Sequence, residues 1–132
     1  MSEKSVATKL LIKPETTVWV SDPARMGLLG DLPPAVTRAG SLAGATTAIL
    51  FVEDRATARA LLEEHGDALK LPPYVWFLYP KGGRADINRD TLWPIVAEYG
   101  LRPITQVAVD ETWSALRFRP LAGGEAPFTG GR

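Results

Sequence analysis

The sequence predicts an α/β domain in three layers, built on a mostly parallel sheet of about six strands with a terminal antiparallel strand. Three observations carry this. Thr46–Val52 and Tyr74–Tyr79 are near-continuous apolar runs without polar alternation, the pattern of strands covered on both faces. A helix-period segment separates them, as a crossover between parallel neighbours requires. Near the end, Ile104–Val109 and Trp113–Phe118 are separated by about three residues, too few for a crossover helix, so they pair antiparallel.

Each element follows in turn. Residues 1–8 are polar and read as a flexible arm, and Lys9–Pro14 is a short apolar patch stopped by proline. Thr16–Val20 is β-branched and aromatic and forms the first strand. Ser21 or Asp22 then caps a short helix with Pro23 in its first turn, ending near Gly30. Val36–Arg38 is a weak edge strand, and Thr46–Val52 is the third strand. From Asp54 the spacing is helical, with Ala56, Ala60 and Leu61 on the apolar side and Arg59, Glu63 and Glu64 on the other. Gly66 stops that helix, and Pro72-Pro73 blocks its continuation. After Tyr74–Tyr79, a loop from Pro80 to Asn88 leads to a helix capped by Asp90, with Pro94 tolerated near the first turn and the end at Gly100. The last two strands follow. Residues 121–132 are a Gly- and Pro-rich tail, so residues 9–120 form the domain.

Composition narrows the function. The chain has 132 residues, one domain's worth, of which 45% are hydrophobic and 23% charged. Fifteen basic and fifteen acidic residues cancel, which argues against a dedicated nucleic-acid partner. No cysteine and one histidine leave no disulfide and no familiar zinc site, and no metal is expected. No run approaches the ~20 apolar residues of a membrane span. A cytoplasmic protein with no membrane partner is expected.

The chemistry-bearing residues cluster after strands, where open α/β sheets bind ligands. Lys81-Gly82-Gly83-Arg84 offers glycine N–H groups and two cations to an anion, although no full phosphate-loop pattern follows. Its plainer reading is a solvated loop. Asp110-Glu111-Thr112-Trp113 places carboxylates beside an indole, an acid/base arrangement with Asp110 as the candidate catalytic group. Turn capping by Asp110 and Thr112 explains the same residues more simply. Asp22, Asp54 and Asp110 each follow a strand and would hold magnesium if they converged, but capping explains the first two as well. His65 sits at a helix C-terminus, where the helix dipole favours a cation. Trp19, Trp76 and Trp93 lie within apolar patterns and read as core.

The motifs Leu11-Ile12-Lys13-Pro14, Trp76 through Pro80-Lys81, and above all Asp110-Glu111-Thr112-Trp113-Ser114-Ala115-Leu116-Arg117-Phe118 resemble a bacterial family of small domains, the domain-of-unknown-function 3052 family. The resemblance spans about residues 9 to 120 and implies a Rossmann-like fold with no established activity. The element order also resembles a trimmed methyltransferase core, whose final strand is likewise antiparallel. Such enzymes need a glycine-rich turn after the first strand and an acidic residue after the second. Here those places hold Val20-Ser21-Asp22-Pro23-Ala24-Arg25 and Thr37-Arg38-Ala39, so no cofactor is expected. Two functions follow. One is a non-catalytic or regulatory module binding a small anionic ligand or a partner protein along Ser21, Asp22, Lys81, Arg84, Asp110, Thr112 and Trp113. The other is a small enzyme on the same edge, with Asp110 as acid/base and Lys81 or Arg84 holding an anionic substrate. The second strand and the terminal strand pair offer edges for a homodimer.

Overall fold

A computed structural model of the chain describes residues 6–30, 32–81 and 86–121. Its elements in order are helix α1 (Val6–Lys9), strand β1 (Thr17–Val20), a 3₁₀ segment (Pro23–Leu29), β2 (Thr37–Arg38), β3 (Thr47–Phe51), α2 (Arg55–His65), a second 3₁₀ segment (Gly66–Lys70), β4 (Tyr74–Pro80), α3 (Arg89–Ala97), β5 (Leu101–Ala108) and β6 (Trp113–Pro120). One six-stranded sheet runs β2-β1-β3-β4-β6-β5. The pairs among β2, β1, β3 and β4 are parallel, and β6 is antiparallel to both β4 and β5. The two continuous apolar runs thus occupy the middle of the sheet, where both faces are covered, and every residue of β3 is buried.

The two faces carry separate cores. One face presents Ala48, Leu50, Val75, Phe77, Leu116 and Phe118 to Ala58 and Leu62 of α2 and Leu92 and Val96 of α3. The other presents Val18, Val20, Ile49, Trp76, Leu78 and Ala115 to Ala7, Leu10, Ile12 and Leu29. Alternate side chains of one strand feed opposite cores, which is the period of two of an extended chain. No described helix is long and apolar enough to cross a membrane.

Several expectations shift. Residues 6–8, expected in the arm, belong to α1, and Ala7 is fully buried. Trp76 holds this segment down by donating its Nε1–H to the carbonyl of Leu10 at 3.0 Å. Helix α2 buries Ala58 and Leu62, whereas Ala56 and Ala60 are exposed. Alanine-rich helices carry two weak apolar stripes, and the sheet selects the one with the leucine deeper in the contact. Helix α3 is capped by Asn88 rather than Asp90, in a reciprocal capping box with Thr91, which places Pro94 in the second turn. Strand β5 starts at Leu101 and runs through Pro103, which an edge strand tolerates, with a register shift between Pro103 and Thr105. The Gly- and Pro-rich tail lies, but for Leu121, outside the described residues.

Candidate functional site at the C-terminal edge of the sheet

Register fixes where the strand ends lie. Val20 pairs with Ile49, Phe51 with Leu78, Pro80 with Trp113 and Ala108 with Ser114. The C-terminal ends of β1, β3, β4 and β5 and the start of β6 therefore share one edge. Asp22 follows β1, Lys81 follows β4, and Asp110 and Thr112 join β5 to β6, so all of them sit along that rim. The Lys81 N–H donates to the carbonyl of Thr112 at 2.8 Å, which ties two of these loops together. Arg84, with Gly82 and Gly83, lies outside the described residues.

The chain leaves β1 toward the core holding Leu29 and leaves β3 toward the opposite core, holding Ala58 and Leu62. Connections that diverge in this way open a crevice between the two strands, the place where such sheets hold ligands. In this protein its own side chains fill that place. The Ser21 N–H donates to the Ile49 carbonyl at 2.9 Å, and the Phe51 N–H donates to Ser21 Oγ at 2.8 Å. Arg25 then spans the gap. Its Nε contacts Asp22 Oδ2 at 3.1 Å and its Nη2 contacts Glu53 Oε1 at 3.0 Å. The guanidinium carbon stands 5.1 Å from the Trp113 ring centroid and 5.7 Å from that of Phe51. Those two rings meet edge to face, with centroids 5.5 Å apart. Residues of β3, of β6 and of the turns after β1 and β3 are drawn together on one cation.

The three aspartates are engaged locally. Asp22 caps the 3₁₀ segment by accepting from the Ala24 N–H at 3.2 Å. Asp54 accepts from the Thr57 N–H at 2.7 Å, and this bond holds its carboxyl below the ordinary aspartate range. Asp110 Oδ1 accepts from the N–H groups of Thr112 and Trp113 at 2.8 and 2.7 Å. Each aspartate therefore closes its own turn, as capping requires, and no group of metal-ligating side chains forms among the described residues. His65 packs edge-on against Trp19, with ring centroids 4.9 Å apart.

Arg25, Glu53 and Phe51 were not among the site residues that the sequence suggests. Arg25 carried a usable signal, being three residues after Asp22 in a helical turn, the spacing of an ion pair. Glu53 carried none, because its meeting with Arg25 depends on β1 and β3 being neighbours.

No family model and no curated protein matches the chain in sequence. Solved structures do match in shape. A Streptococcus pneumoniae protein proposed to be a tRNA (m1A22) methyltransferase superposes with a TM-score of 0.56 at 12% identity, over 95% of this chain and 70% of that one. A protein of the NADB-Rossmann superfamily from Streptococcus agalactiae superposes with a TM-score of 0.56 at 10% identity, over 98% of this chain and 72% of that one. At such identities the likeness is one of fold: this chain has a Rossmann-like α/β fold of the kind that methyltransferases use.

Proposed function

We propose that this domain keeps the frame of a Rossmann-like methyltransferase fold without its cofactor crevice, and that it works as a non-catalytic binding module. Its ligand is a small anionic molecule or a partner protein, taken along the rim from Lys81 to Asp110, Thr112 and Trp113. One observation carries the reading: Arg25 lies across the β1–β3 crevice, paired to Asp22 and Glu53 and set against Trp113 and Phe51. A glycine turn would open that space to a cofactor's close approach. Here the turn has Pro23 instead, and its polar groups are spent on one another. Pairing Asp22 and Glu53 with Arg25 also leaves Lys81, among the described residues of the rim, as a cation for an anion at that edge.

The kinship suggested by the Asp110–Phe118 motif belongs to the same proposal, as do a cytoplasmic setting and pairing through an exposed sheet edge. The enzyme reading rests on fold order, which does not carry function, and on Asp110 as acid/base, whose Oδ1 already accepts two N–H bonds in its own turn.

Calorimetric titration with S-adenosylmethionine is the first test, and no binding is expected up to about millimolar concentration. Saturable binding, or methyl transfer to RNA, overturns the proposal. The second test is a thermal-shift screen of nucleotides and of acyl and phosphate metabolites on the wild type and on Lys81→Ala. A compound whose stabilisation disappears in the variant supports the anionic-ligand branch. A screen with no hits, combined with stoichiometric capture of one protein that Lys81→Ala loses, supports the partner branch. Neither outcome leaves the module without a ligand and ends the reading.

A further inference from the structure

The sheet ends on two strands of unequal length. At one edge β2 has two residues, too short to pair stably with another chain. At the other edge β5 has eight, and among the described residues β6 is its one strand partner. Edges of this length are normally guarded by charge, proline or a bulge. Pro103 and the register shift beside it guard the start of β5. Nothing of the kind guards the rest. Ile104-Thr105-Gln106-Val107-Ala108 carries no charge, and all but the half-buried Val107 are exposed, Ile104 by 40%.

The ladder fixes which backbone groups face outward. The Val109 N–H donates to the Trp113 carbonyl at 3.1 Å, so Val109 faces β6. Alternate residues of an antiparallel strand face alternate sides. Val107 therefore faces β6 as well, and the N–H and C=O groups of Gln106 and Ala108 point away from the sheet. The side chain of Gln106 is set in advance. Its Nε2 donates to Tyr79 Oη at 2.7 Å and to Ser114 Oγ at 3.3 Å. A side chain already held loses little freedom when a partner arrives.

We propose that this edge pairs with the same edge of a second copy, antiparallel, about a twofold axis at Val107. In that register Gln106 of each copy meets Ala108 of the other, so the outward donors and acceptors of the two chains satisfy one another. The two Val107 side chains meet in the close, non-hydrogen-bonded position, where β-branched residues pack well. A second copy is the occupant because the stretch is self-complementary. A twofold axis sets it against itself, and with no charge from Pro103 to Val109 no like charges meet there. The seam is short, so dissociation at about 10–100 µM is expected. The inference rests on the edge pairing proposed above and is independent of ligand binding at the rim.

The chain has no cysteine, so single cysteines report the register. Val107→Cys sets two thiols across the axis within disulfide reach, whereas Thr105→Cys leaves them about four residues, or ~13 Å, apart. On mild oxidation Val107→Cys should form a covalent dimer at least about tenfold faster than Thr105→Cys. Sedimentation equilibrium of the wild type from about 1 to 500 µM should show monomer and dimer in exchange. Ala108→Pro removes an outward donor and none that faces β6. It should weaken the dimer at least about tenfold while the urea midpoint, measured where the wild type is monomeric, changes little. A wild type still monomeric at about 500 µM overturns the proposal, as does a dimer whose crosslinking at residue 105 matches that at residue 107. So does a folded Ala108→Pro protein that dimerises as the wild type does. If that variant fails to fold, crosslinking and wild-type sedimentation decide. A monomeric chain that binds an anion through Lys81 ends the pairing and keeps the rim, and a dimer with no rim ligand does the reverse.

Discussion

Arg25 holds carboxylates from two different strand ends, and its own side chain is 35% exposed while those of Asp22 and Glu53 are 44% and 58% exposed. Water screens such pairs, so each contributes little, and the contact with the Trp113 ring is the part that exposure does not erase. Arg25→Ala should therefore lower stability by about 1 kcal/mol, with a deficit that changes little between low and high salt. Urea unfolding at two ionic strengths measures it, and a deficit that vanishes in salt would mean that the ion pairs dominate. Asp54 makes a pH prediction. Its carboxyl is held below the ordinary range by the Thr57 N–H. A lowered folded-state value means that the stabilisation is present above the range of the unfolded carboxyl and is lost as pH falls through the lowered value. Asp54→Asn keeps the capping oxygen and removes the titration, so the urea midpoint of the variant should fall less on acidification than that of the wild type. At this scale the sequence showed Asp22, Asp54 and Asp110 as capping residues, because capping is local, but set the cap of α3 at Asp90, two residues past Asn88. It did not show Glu53 as a partner of Arg25, because 28 residues separate them and only the sheet order joins them.

Strands β3 and β4 were legible because an uninterrupted apolar run has few other places to go. Helix α2 was legible as a helix but not in its buried face, since alanine methyls on two sides differ too little to choose between them. Segment α1 was not legible at all, because four residues have no period to read. What fixes it is a tertiary bond from Trp76 to Leu10. Trp76→Phe should cost about 2–4 kcal/mol, combining a void in a fully packed core with a carbonyl left without its donor. Amide exchange in Ala7 to Ile12 should rise more than in β3, and uniform acceleration of both would count against a local anchor. The turn from α3 to β5 depends on Gly100, whose φ is 81°. An added Cβ would also meet the Lys70 Nζ at 3.0 Å, a flexible tip that can move aside. Backbone strain therefore dominates, and Gly100→Ala should cost about 1–2 kcal/mol in chemical denaturation.

For the whole molecule, the two faces of the sheet are protected unequally. Two helices and a 3₁₀ segment cover one face, while α1, the residues after it and the Pro23–Leu29 segment cover the other. Removing residues 1–12 should expose Val18, Ile49 and Trp76, producing strong binding of a hydrophobic dye and a lower urea midpoint. A truncated chain with unchanged dye binding would show that face to be covered by something else. The fold class, the sheet's parallel majority and its antiparallel end were all legible, since they rest on run length and loop length. The closed crevice was not, because it is assembled from three strands at once.

Strand β6 pairs with β4 on one side and β5 on the other. The last strand of the sheet to be synthesised therefore fills an interior slot. Until residue 120 has emerged, the nascent chain holds a split sheet, with β5 lacking its strand partner and the flank of β4 unsatisfied. The sheet therefore closes only after β6 has been made, and a chain cut a few codons short of β6 would need a chaperone rather than behave as a slightly shortened protein.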